Sequence, residues 1–138
     1  MRAFLLLLVL VACAVGCGPS LGRIKGRVVE NGEPIVAPGQ AADGQAALMF
    51  YLIGADGKPN PAKAYPIPLS PDGTFELIAS GGAVPPGTYL VTFEVNAPKS
   101  AKGIGRFKGR YTYPDSTLRH EVKSGANDVS IDLAKAGS

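Results

Sequence analysis

The sequence predicts an all-β domain, a sandwich or barrel of short strands, and three observations carry that prediction. Glycine and proline, 18 and 12 of the 138 residues, cut the chain beyond residue 17 into pieces too short for ordinary helices. The longest piece free of both, residues 126–136, alternates Val129, Ile131 and Leu133 with Asp128, Ser130 and Asp132, the period of a strand with one buried face. The other apolar stretches are short, strand-like and separated by turn residues at regular spacing. Hydrophobic residues make up 46% of the chain, so there is material for a packed core and the domain is expected to fold.

Ahead of the domain stands a stretch of a different kind. Arg2 is followed by an apolar run that ends in small residues before Cys17, the layout of a secretion signal, expected as an N-terminal signal helix over residues 1–16. The run is short for a membrane span, which needs about 20 apolar residues. Ala14-Val15-Gly16-Cys17 resembles the bacterial lipobox. That resemblance implies cleavage before Cys17 and a diacylglycerol on its thiol, with fatty chains such as palmitate. Leu10-Val11-Ala12-Cys13 is a rival that fits the pattern better at its first residue but leaves an apolar region near the lower limit of length. With Cys17 lipidated and Cys13 discarded, the mature chain has no thiol left for a disulfide. Gly18 lacks the aspartate that, in some bacteria, resembles an inner-membrane retention signal, so the outer membrane is the expected destination, on its periplasmic or its surface face.

The expected organisation is a signal over 1–16, a lipidated cysteine and tether over 17–22, one β-sandwich over 23–134 and a tail over 135–138. The five residues after Cys17 reach roughly 18 Å, which keeps the domain close to the bilayer. In the first strand Lys25 and Arg27 alternate outward against Ile24 and Val28, and Asn31-Gly32 suits the positive φ values of a tight hairpin turn. Arg23, Lys25 and Arg27 are expected on a solvated face. Residues 39–45 read as a loop and 46–53, apolar on both sides of the pleat, as a central strand. Asp56-Gly57 turns the chain into 64–69, whose Pro66 and Pro68 place it at a sheet edge. Ser70-Pro71-Asp72-Gly73 forms a tight turn into 74–78, with Phe75 and Leu77 inward. After a turn at 83–87, residues 88–95 give the clearest strand: Tyr89, Val91, Phe93 and Val95 face one way, Leu90, Thr92 and Glu94 the other. Between 97 and 110 the composition shifts to Lys99, Lys102, Arg106, Lys108 and Arg110, with glycines interleaved and no acidic residue. A flexible basic loop is expected there. Tyr111 and Tyr113 resume an alternation, Leu118, His120 and Val122 share one side of the next strand, and 123–127 turns the chain into a last strand ending at Leu133.

Three segments of this chain resemble one family. Lys25-Gly26-Arg27-Val28 through Gly32-Glu33-Pro34-Ile35, then Asp72-Gly73-Thr74-Phe75, then Pro86-Gly87-Thr88-Tyr89-Leu90-Val91 are similar, in order and spacing, to the G-x-V…G-x-P, D-G-x-F and P-G-x-Y-x-V segments of the carboxypeptidase regulatory-like domain. The resemblance covers about two thirds of the chain after the signal. It implies a transthyretin-like Greek-key β-sandwich of about seven strands, of the kind found in short bacterial lipoproteins, and an accessory role. Two departures, the lengthened loop at 40–45 and Ser70-Pro71 before Asp72-Gly73, leave loop function open.

The residues themselves give little to catalysis. His120 is the single histidine, so neither a histidine-based triad nor a histidine-rich metal site can be assembled. Asp43, Asp56 and Asp72 each precede a glycine, where turn chemistry accounts for them. The hydroxyisourate hydrolases share the implied fold but carry several histidines and a C-terminal Tyr-Arg-Gly-Ser, which this chain lacks. A formal net charge of +3, one unit of which leaves with Arg2, is too small to indicate nucleic acid. The expected function is a non-catalytic, lipid-anchored binding or structural module of the cell envelope, with no cofactor and no metal. Its candidate contact surface is Lys99, Lys102, Arg106, Lys108 and Arg110, facing an envelope protein or an anionic glycan. The alternative is a carbohydrate-binding or accessory domain of an envelope enzyme system.

Overall fold

The computed structural model describes residues 21–35, 45–77, 83–96 and 103–135. Cys13, Cys17, the signal, the tail from 136 and the loop at 36–44 lie outside the described residues. Eight strands, β1 (Gly22–Glu30), β2 (Glu33–Pro34), β3 (Ala46–Ile53), β4 (Pro59–Pro68), β5 (Thr74–Glu76), β6 (Gly87–Val95), β7 (Arg119–Val122) and β8 (Gly125–Asp132), form two four-stranded sheets. The fold is an all-β sandwich.

β1 is the spine of the first sheet. On one side it pairs in parallel with β8, from Gly22↔Gly125 to Val29↔Asp132. On the other side it takes, in succession, the Val84 bridge, β5 at Lys25–Arg27 and β2 at Val29 and Glu30. The second sheet is antiparallel throughout, in the order β4-β3-β6-β7. Ile24, Val28, Phe75, Leu77, Val129 and Ile131 from the first sheet meet Leu48, Phe50, Ile67, Tyr89, Val91 and Phe93 from the second, all buried.

Local chemistry explains the turns. Asn31 and Gly32 take φ of 52° and 84°, as the β1–β2 hairpin requires. Gly73 has φ 80°, and the Asp72 carboxylate accepts both the backbone N–H (3.0 Å) and the hydroxyl (2.6 Å) of Thr74. Asp56 makes the same kind of turn with the Lys58 N–H; Asp43 lies outside the described residues.

With the short β2 and β5 both on the same side of β1, the described residues hold eight strands, in keeping with the expected number of about seven. On β6 the outer-facing Leu90 and Thr92 are as buried as the inner residues. Two details depart from expectation. The edge strand β4 starts at Pro59 rather than 64: prolines forbid ladder donation on only one side, and an edge strand needs only the other. Finally, the described part of the basic segment is no open loop. Gly103–Phe107 is a 3-10 helix with Ile104 and Phe107 buried, because those two apolar side chains fall three residues apart and so share one side of a 3-10 turn.

Candidate functional site

The described basic side chains stand on a rigid apolar base. Phe107 is fully buried and meets Phe93 edge-on, 6.1 Å between ring centroids at 74°. Its neighbours Arg106, Lys108 and Arg110 are exposed. Gly103 and Gly109, with φ of 75° and 81°, bring the chain into and out of this turn, a conformation that side-chain-bearing residues rarely adopt. The Arg106 guanidinium lies 4.7 Å from the Phe107 ring centroid, and that of Arg110 lies 5.7 Å from the rings of both Phe107 and Tyr111. Tyr111 anchors the segment: it is buried, bridges Phe93, and its hydroxyl donates to the Leu133 carbonyl of the opposite sheet.

Arg106 also forms an ion pair with Glu30, the last residue of β1. Both side chains are partly exposed, at 45% and 32%, so the pair contributes at most about 1 kcal/mol. Its consequence for binding is larger than for stability, because one of the basic side chains is already neutralised. The site therefore sits at the far end of β1 from Gly22, about 26 Å along a nine-residue strand. Arg106, Lys108 and Arg110 are brought together; Lys99, Lys102 and Cys17 lie outside the described residues. What the basic composition concealed was Ile104 and Phe107, the residues that hold the turn down.

The other candidates divide cleanly. Arg23, Lys25 and Arg27 are exposed on the outer face of the first sheet, where Lys25 is flanked by Glu76 and Asp128 in the ladder and Arg27 by Thr74 and Ser130. Lys25 and Arg27, with these four neighbours, line an open groove of about 780 Å³. His120 is half-buried on the Val122 side of β7. Burial pulls its pKa below the ordinary 6.5, against a smaller opposing effect of Glu121. Tyr89, fully buried, is pushed up to about 12 by burial and then by Tyr65, and its hydroxyl donates to the Pro85 carbonyl at 2.7 Å. Tyr51, Tyr89 and Tyr111 are core residues. Tyr113 is instead 40% exposed, and its ring packs on Tyr51 with centroids 4.8 Å apart. Among the described residues no three His, Cys, Asp or Glu side chains are grouped so as to hold a metal ion, and no helix is long and apolar enough to cross a membrane.

The sequence matches no protein-family model and no curated relative. Among solved structures it is similar to a DUF3823 family protein from Parabacteroides merdae, at 17% identity and a TM-score of 0.49, over 82% of this chain and 45% of that one. The chain thus spans less than half the length of that protein, and the likeness is one of all-β fold alone.

Proposed function

We propose that the chain is a non-catalytic module of a bacterial cell envelope, lipid-anchored at Cys17 and related to the carboxypeptidase regulatory-like domains, whose contact surface is the basic end of the sandwich. The observation that carries the reading is the turn held down by the buried Phe107, which carries the exposed Lys108 and sets the Arg110 guanidinium, and that of Arg106 with its Glu30 partner, against the Phe107 ring, at the opposite end of β1 from the point where the tether enters. An anionic glycan or an acidic face of an envelope protein suits such a surface, since exposed cations on a preformed turn lose little freedom on binding. Changing Lys99, Lys102, Arg106, Lys108 and Arg110 together to Ser tests it. The expected result is loss of partner capture and of glycan retention with the unfolding midpoint nearly unmoved; unchanged capture overturns the reading. Cys17→Ser is expected to release the protein from the membrane fraction.

The carbohydrate-binding alternative is favoured by one observation, the exposed ring of Tyr113 backed by Tyr51, a platform of the kind on which sugar rings stack. Tyr113→Ala would then abolish retention on a neutral polysaccharide column that the five-serine variant still binds.

A further inference from the structure

The outer strands of the two sheets are finished differently. Just past β4 the Leu69 N–H donates to the Ala46 carbonyl at 3.2 Å, which sets the phase of the β3–β4 ladder on this side of its irregularity between Tyr51 and Ile53: Tyr65, Ile67 and Leu69 bond inward, and Pro66 and Pro68 fall where an N–H would point away from the sheet. That edge has lost outward donors, the usual protection against pairing with another chain. β8 is the reverse. Gly125 donates to the Leu21 carbonyl (3.2 Å) and Leu133 to that of Val29 (2.9 Å), so the odd-numbered residues face β1. Ala126, Asp128, Ser130 and Asp132 turn their N–H and C=O groups the other way. None is proline, the first three are exposed, and among the described residues β8 pairs with β1 alone.

We infer that β8 is the strand through which two copies of this chain join, antiparallel about a twofold axis at Val129. Phase and charge select that register. Outward-facing residues must oppose outward-facing residues, so the axis passes through a residue rather than between two. An axis at Asp128 sets that carboxylate against its own copy; an axis at Ser130 sets Asp128 against Asp132 of the partner subunit, twice; axes farther out engage only part of the strand. With the axis at Val129, Asp128 faces Ser130 of the partner subunit, Ala126 faces the partner's Asp132, and no like charges oppose one another. About eight backbone hydrogen bonds form, and the two first sheets become one. The two Gly22 ends then point in opposite directions, so copies held on one membrane lie with their strands along it, within reach of tethers of roughly 18 Å. This inference rests on β8 alone and stands or falls independently of the basic end.

Ser130 supplies the test because its two neighbours pull oppositely. Within one chain it stands beside Arg27; across the axis it faces Asp128. In Ser130→Lys the new cation meets a cation in its own chain and two-fold-related carboxylates in the pair. In Ser130→Asp both relations invert. Sedimentation equilibrium of the full chain in density-matched detergent is expected to show dimers, with a dissociation constant lowered roughly tenfold by Ser130→Lys and raised roughly tenfold by Ser130→Asp. Urea midpoints of the dilute, monomeric variants are expected to shift the other way, which separates the interface from intrachain stability. A wild-type chain that stays monomeric at concentrations on the order of 100 μM, as it would if another protein's strand were the natural occupant, overturns the inference. So do two variants that move the dissociation constant in the same direction.

Discussion

Gly26 stands where β1 crosses closest to its neighbours: a Cβ there would lie 1.9 Å from the Val129 carbonyl oxygen and 3.0 Å from the Phe75 ring. The glycine of the G-x-V segment is therefore a packing requirement, not a turn. Gly26→Ala is expected to cost about 1–3 kcal/mol, read as a lowered urea midpoint at unchanged slope. Tyr111→Phe leaves the Leu133 carbonyl without the hydroxyl that spans the two sheets, at about 1–2 kcal/mol. His120 gives the residue scale its pH dependence. Since its folded pKa lies below 6.5, the unfolded chain takes up a proton that the folded chain resists. Stability is then fully present above about pH 6.5 and declines as pH falls through that value toward the lower folded one. Urea midpoints at about pH 7.5 and about pH 5.5 should differ for the wild type and converge in His120→Gln. The hydrogen-bonded carboxylates Asp72 and Asp132, held below their ordinary value chiefly by Thr74 and by the Ala134 N–H, act only at more acid pH.

At the scale of elements, the 3-10 segment behaves as a plug whose charged surface and apolar base are separable. Phe107→Ala should cost about 3–5 kcal/mol, while Arg106→Gln, which removes an exposed ion pair and a surface cation–π contact, should cost no more than about 1 kcal/mol; thermal unfolding of the two variants checks the contrast. How far such elements can be read from sequence follows their locality. The Asn31-Gly32 hairpin, the Asp72-Gly73 turn, the inward Phe75 and Leu77, the central β3 and the proline-marked β4 were all legible, because each is fixed by a few adjacent residues. The parallel union of β1 with β8 was not, since it joins residues about a hundred positions apart and strand alternation carries no record of which strand lies alongside. The site divides likewise. Arg106, Lys108 and Arg110 announce themselves by composition, but the Glu30 that neutralises Arg106 belongs to another strand, and Phe107 reads as one apolar residue in a basic run until Phe93 is placed beneath it.

For the whole molecule, the expectation concerns where the sandwich lives. Protease added to intact cells should leave the domain untouched if it hangs on the periplasmic face and remove it if it hangs on the surface, and Cys17→Ser should in either case shed it from the membrane. A wild type that fractionates as a soluble protein contradicts the anchored reading.

β1 also has a mechanical meaning. It is the first strand of the described residues, and it is bonded on one side to β8 from Gly22 to Val29 and on the other to Val84, β5 and β2 in turn. A pull that enters at Leu21 and leaves through the basic end acts along the strand axis. The hydrogen bonds on both flanks then bear it together in shear instead of opening one at a time, so the sandwich is built to transmit tension along its length and to yield far more readily when peeled sideways at β7.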